Sequence, residues 1–174
     1  MRAVDVALTQ VGVREQGGRN RGPEVDEYIR AVGLDPTKGS YPWCAAFVSW
    51  CVAQAANHNQ IASGRVGPPT LPIELSAGVF DMLRRNARLK RERPQPGYAF
   101  VLDYGVRENP DGSKHRPGHI GFVIQALPNG TLETVEGNTN AAGSREGDGV
   151  YIRARKVKDI YCYLDVDKWE PAVT

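Results

Sequence analysis

The chain has 174 residues, 22 Lys and Arg against 20 Asp and Glu, a formal net charge of +2 and 41% hydrophobic residues. That fits one globular domain with its own core and excludes a disordered chain, a coiled coil or a repeat array. So small a net charge gives no footing for nucleic acid as a partner.

No apolar run approaches the roughly 18–20 residues of a membrane span. The longest, residues 43–53, is broken by Ser49, so no stable membrane insertion is expected. The first ten residues lack the basic-then-apolar pattern of a secretion signal. The expectation is synthesis in the cytoplasm, with delivery by other means if the chain acts elsewhere. Three cysteines, Cys44, Cys51 and Cys162, cannot all pair internally, and there is no Cys-x-x-Cys. With His58, His115 and His119 they lack the clustered spacing of a structural metal site, so neither metal nor another cofactor is expected.

In chain order, residues 3–14 place Val4, Ala7, Leu8 and Val11 at helical spacing, up to the loop Gly17–Gly22. Pro23 opens a second helix with Glu24, Asp26 and Glu27 in its first turn, and Gly33 closes it. A third helix is predicted from about Pro42 to Asn57, followed by a loop over 59–72, and a fourth over 79–90. Between Arg84 and Arg93 six basic residues face Glu92 alone. This segment reads as a solvated helix face, with an anion-seeking patch as the functional alternative. After Pro94-Gln95-Pro96-Gly97 the period becomes that of strands, near 98–104, 119–127, 131–137, 150–156 and 160–165. Residues 105–118 and 138–149 are polar loops, and Asn129-Gly130 is a two-residue hairpin signal. Helices first and strands afterwards predict an α+β fold with an antiparallel sheet of about five strands.

Three segments carry chemistry. In Pro42-Trp43-Cys44-Ala45-Ala46-Phe47-Val48, Pro42 suits the first helical position and Cys44 falls in the first turn. Cys44, Phe47, Val48, Cys51, Val52 and Ala55 share the face that packs on the sheet. There the helix dipole favours a thiolate, and the free N–H groups can hydrogen-bond an oxyanion. In Gly118-His119-Ile120-Gly121-Phe122-Val123, His119 opens a strand beside two small residues that leave room for a neighbour. In Glu133-Thr134-Val135-Glu136-Gly137-Asn138, Thr134, Glu136 and Asn138 share one face. A hairpin folded about Asn129-Gly130 sets His119 opposite roughly residue 140, with Glu136 and Asn138 within a few residues of it. An acid and an amide beside an imidazole fix its tautomer and stabilise its cation. Taken singly, each segment also fits plain structure: a core cysteine, a satisfied strand histidine, a solvated strand end.

Together these motifs resemble the CHAP domains, a papain-like branch of amidohydrolases related to NlpC-type peptidoglycan hydrolases. Pro-Gln-Pro-Gly at 94–97 and Gly147-Asp148-Gly149-Val150 complete the pattern, which covers about residues 5–165 of a single catalytic domain spanning 1–174. The resemblance implies a papain-like fold and a thiol hydrolase cutting amide bonds in cell-wall peptides, with peptidoglycan as partner. By the same resemblance Cys44 is the nucleophile, His119 the base, Glu136 its orienting acid and Asn138 a fourth polar position. A phage-type endolysin acting at the cell wall is the leading expectation. An injected effector with an immunity protein, a catalytically dead binding module and a thiol acyltransferase on another amide or ester are the alternatives. Residues 35–40 hold one carboxylate and a lysine, unlike the acidic calcium loop of some CHAP lysins.

Overall fold

The computed structural model describes residues 1–140 and 147–168. Four helices come first: α1 (Ala3–Thr9), α2 (Pro23–Ala31), α3 (Cys44–Ala62) and α4 (Val79–Arg85). Eight strands follow: β1 (Lys90–Arg91), β2 (Ala99–Asp103), β3 (Arg107–Glu108), β4 (Lys114–His115), β5 (Gly118–Leu127), β6 (Thr131–Thr139), β7 (Gly149–Lys156) and β8 (Cys162–Leu164). Six of them form one antiparallel sheet in the order β1-β8-β2-β5-β6-β7, while β3 and β4 make a separate ribbon inside the expected 105–118 loop. The expected α+β architecture is present, with β1 as a short edge strand beyond the five predicted. The loop between β6 and β7 falls mostly on residues 141–146, outside the described residues.

The helix α3 is the spine of the domain. It packs on α1 and α2 on one side and on β5 and β6 on the other. Its first half is therefore buried nearly all round: Ala45, Ala46 and Ser49 are covered along with the predicted face of Cys44, Phe47, Val48, Cys51 and Val52. Ser49 survives inside because its hydroxyl donates to the Ser76 carbonyl at 3.0 Å and accepts the Ser76 N–H at 3.1 Å. One face of the sheet, with Ala99, Val101, Ile120, Phe122, Val135 and Leu164, joins this helical core. The opposite face gathers Phe100, Leu102, Val123, Leu132 and Tyr163 in a second cluster.

Several predicted boundaries move, each for a local reason. The first helix stops at Thr9 rather than near residue 14, since Gly12 takes a φ of 101° and Arg14 then bridges to Gly149. Leu8 and Val11 are accordingly exposed. Pro42 lies outside α3, which is capped by Trp43 and begins at Cys44; the helix runs on to Ala62, through the start of the expected loop. The helix α4 ends at Arg85 because the Asn86 side chain turns back, donating to Met82 O and Glu74 O at 2.9 Å and accepting the Glu74 N–H at 2.8 Å. The basic segment is thus split between helix, turn and edge strand. Arg84 and Arg85 pair with Asp81, and Arg91 with Asp165.

Candidate active site

Cys44 is the first residue of α3 and is only 5% exposed. Its position is fixed through Trp43. The indole Nε1 donates to Glu15 at 2.9 Å, and the ring packs against Tyr28 and Phe47. The first helical backbone bond runs from the Phe47 N–H to the Trp43 carbonyl at 2.8 Å. The N–H groups of Cys44, Ala45 and Ala46 therefore precede the ladder and point out of the helix start, where a developing oxyanion is best stabilised.

His119, the second residue of β5, is wholly buried. Its Nε2 lies 2.8 Å from Glu136 Oε2. Since that oxygen belongs to a carboxylate, Nε2–H is the donor and the tautomer is set. Nδ1 is left as the nitrogen for the thiol: it completes no hydrogen bond of good geometry, yet Cys44 is the side chain that most strongly favours the imidazolium. Thiol and imidazole are thus neighbours with a loose contact, as is common before substrate binds.

The pairing of β5 with β6 explains how Glu136 comes within reach. Leu127 faces Thr131 across a three-residue turn of Pro128, Asn129 and Gly130, and a bulge between Val123 and Gln125 then shifts the register. Gly130, at a φ of 72°, supplies the left-handed residue this turn requires. The hairpin is not the two-residue turn expected from the sequence. The shift also changes the partner of His119: carried on from Phe122–Val135, the register sets His119 against Asn138 rather than residue 140, and Gly121 against Glu136. Glu136 reaches the imidazole by lying across Gly121. A Cβ on Gly121 would meet Glu136 Cγ at 2.8 Å and the Val135 carbonyl at 2.9 Å.

Glu136 is itself buried and fully engaged. Oε1 accepts the Thr134 hydroxyl at 2.6 Å and Arg155 Nε at 2.8 Å; Oε2 accepts Arg155 Nη2 at 2.6 Å besides His119. Burial works against the charged carboxylate, but Arg155 and then His119 outweigh it and hold its pKa at about 2. Burial likewise opposes the imidazolium, and Cys44 followed by Glu136 outweighs it, raising His119 to about 9.

Asn138 plays a different part from the one alternation assigns it. A second register shift, between Glu136 and Thr139, and a left-handed φ of 56° at Asn138 break the alternation of β6. With its amide oriented to satisfy both neighbours, Asn138 Oδ1 accepts the Trp43 N–H and Nδ2 donates to Gly147 O, each at 3.1 Å. Its amide hydrogen-bonds the start of the cysteine helix and Gly147 rather than the imidazole. Gly137 permits the close approach: a Cβ there would lie 2.7 Å from both the Phe47 and Trp43 rings.

Two clefts share Pro42. One, of 250 Å³, is lined by Cys44, Val79, His115, Arg116 and Gly118 among others; the second, of 320 Å³, by Glu15, Arg19, Asn20, Ser40 and Asn138. A separate hollow along the second half of α3, with Val52, Ala56 and Asp167 in its lining, takes no part in this chemistry. No group of three or more His, Cys, Asp or Glu side chains among the described residues is disposed to hold a metal ion. No helix among them is long and apolar enough to cross a membrane.

The structure therefore brings Cys44, His119 and Glu136 together and places Asn138 behind the helix start. It adds Arg155 on Glu136 and Glu15 under Trp43, which sequence reasoning did not single out, and it sets the Thr134 hydroxyl on Glu136. The available signal for Arg155 was its strand: Arg153 and Arg155 share a face with Tyr151, the register partner of Glu136. The family model described as CHAP domain matches residues 36–138, more than half of the chain. Comparison with curated proteins and with solved structures gave no match.

Proposed function

The chain belongs to the CHAP domain family, whose members are cysteine-dependent amidohydrolases acting on peptidoglycan, and from that premise we propose that Cys44, His119 and Glu136 are its catalytic groups in a phage-type endolysin. The observation that carries the reading is the buried line from the helix start through His119 to the fully engaged Glu136.

In this reading Cys44 Sγ, as thiolate, attacks the carbonyl carbon of a cell-wall peptide amide, and the carbonyl oxygen takes up negative charge. The N–H groups at the start of α3 stabilise that charge. His119, as imidazolium, delivers its Nδ1 proton to the departing nitrogen, and the C–N bond breaks to leave a thioester on Cys44. The neutral imidazole then takes a proton from water. The resulting hydroxide attacks the thioester, and Cys44 leaves as thiolate beside a regenerated imidazolium. Glu136 keeps Nε2 protonated and the ring in plane throughout, and Asn138 holds the helix start in register with β6.

The substrate chain runs through the two clefts on either side of Pro42, with the scissile amide over Cys44. The place of action is the bacterial cell wall, reached after release from the cell in which the protein is made. The test is digestion of purified peptidoglycan followed by mass spectrometry of the fragments, with Cys44→Ala as control. New amine and carboxylate ends are expected from the wild type. The variant should stay folded and lose on the order of 10³-fold or more in rate. Undiminished turnover by Cys44→Ala would refute the mechanism, and intact walls with a reactive Cys44 would point to another amide or ester.

A further inference from the structure

We propose that Arg155 is a positioning residue of this thiol site: by gripping both oxygens of Glu136 from β7 it fixes the carboxylate on His119 and so governs the proton shared by His119 and Cys44. The inference rests on the Cys44–His119 reading above.

The geometry is that of a fork. Nε meets Oε1 at 2.8 Å and Nη2 meets Oε2 at 2.6 Å, so both carboxylate oxygens are held by one guanidinium. Arg155 comes from a strand position opposite Leu132 and reaches along the sheet, beyond Thr134, to Glu136. Nothing in the pattern of β7 favours burying it. Ile152 is exposed, while the Arg155 side chain is only 16% exposed. The strand turns its arginine toward the sheet face that carries His119 and leaves its isoleucine in solvent.

Burial gives this arrangement its consequence. Glu136 and His119 are both wholly buried. A carboxylate sealed in such a place without a counter-charge takes up a proton. A neutral Glu136 would no longer stabilise the imidazolium, and the proton on His119 would return to the thiol. With Arg155 in place the four groups form an alternating row: thiolate, imidazolium, carboxylate, guanidinium. They come from α3, β5, β6 and β7, and the row is neutral overall. Among the described residues, the Thr134 hydroxyl, on Oε1, and Tyr104, near the guanidinium, also face it. Arg155 lines neither of the clefts that share Pro42, so it acts on substrate through Glu136.

The experiment is the pH dependence of Cys44 alkylation by iodoacetamide, measured on wild type, Arg155→Met, Arg155→Lys and His119→Ala. Thermal melts establish that each protein is folded, and kcat and KM are measured on a soluble muropeptide. Alkylation reads the thiolate directly and needs no substrate. Wild-type Cys44 is expected to react, and its rate at each pH is the reference. In Arg155→Met that rate should fall about tenfold or more near neutral pH, with kcat reduced and KM unchanged. Arg155→Lys, which keeps a charge but not the fork, should recover part of it. If the methionine variant does not fold, Arg155→Gln supplies the uncharged comparison. A folded, uncharged variant with the wild-type profile would overturn the role of Arg155 alone. A wild-type alkylation profile that His119→Ala leaves unchanged would overturn the Cys44–His119 reading, and this proposal with it.

Discussion

Replacing Glu136 by glutamine removes one negative charge from the centre of four hydrogen bonds, and the structure says how much that should matter. The carboxylate accepts from Thr134 and Arg155 Nε at one oxygen and from Arg155 Nη2 and His119 at the other. A glutamine keeps one accepting oxygen and turns an NH₂ toward two donors. Either Thr134 and Arg155 Nε or Arg155 Nη2 and His119 then lose their acceptor. The guanidinium, with its side chain 16% exposed, is left without its buried counter-charge. Removing one partner of a buried pair costs about 3–5 kcal/mol. A second route gives a similar size: the carboxylate pKa drops from 4.5 to about 2 in the fold, which corresponds to roughly 3 kcal/mol. Against the 5–15 kcal/mol of a typical domain, Glu136→Gln should lower stability measurably as well as activity. The assay is urea denaturation at pH 7 alongside kcat/KM on a muropeptide. A variant with wild-type stability and slowed turnover would refute the reasoning about Arg155 burial, and one with wild-type turnover would move the orienting role elsewhere.

Gly121→Ala is expected to displace Glu136, because the new methyl would lie 2.8 Å from its Cγ and 2.9 Å from the Val135 carbonyl, which cannot retreat. A loss of about 1–3 kcal/mol on melting and about 100-fold in kcat should follow, and wild-type values would show the contact is relieved cheaply. His119 has its pKa raised to about 9 from 6.5. Its stabilisation is full below pH 6.5 and lost as pH rises through 9, so kcat and stability should decline together on that alkaline limb. Glu136 gives the acid counterpart, full above pH 4.5 and lost as pH falls toward 2. Titrating stability from pH 2 to 10 checks both. Activity should persist in a chelator: Asp35, the one carboxylate of residues 35–40, is bound by Thr37 and pairs with Lys38. Loss of turnover in EDTA with rescue by calcium would contradict this.

Local signals in the sequence determined the class of fold, the order of the elements and the places of Cys44, His119 and Glu136. Each depends on neighbours in the chain: a helix start at Trp43-Cys44, a strand opened by Gly118-His119, the alternation that puts Thr134 and Glu136 on one face. What the sequence left undecided depends on register and on contacts between distant strands. Two bulges, at Ile124 and between Glu136 and Thr139, bring Glu136 across Gly121 to His119 and turn Asn138 to the Trp43 N–H. A bulge adds one residue and reverses the facing of everything beyond it, so alternation alone assigned Asn138 to the imidazole. Arg155 was hidden for a related reason. Its strand reads as alternating apolar and basic residues, and only the pairing of β7 with β6 puts the arginine on the face where a buried carboxylate needs a counter-charge.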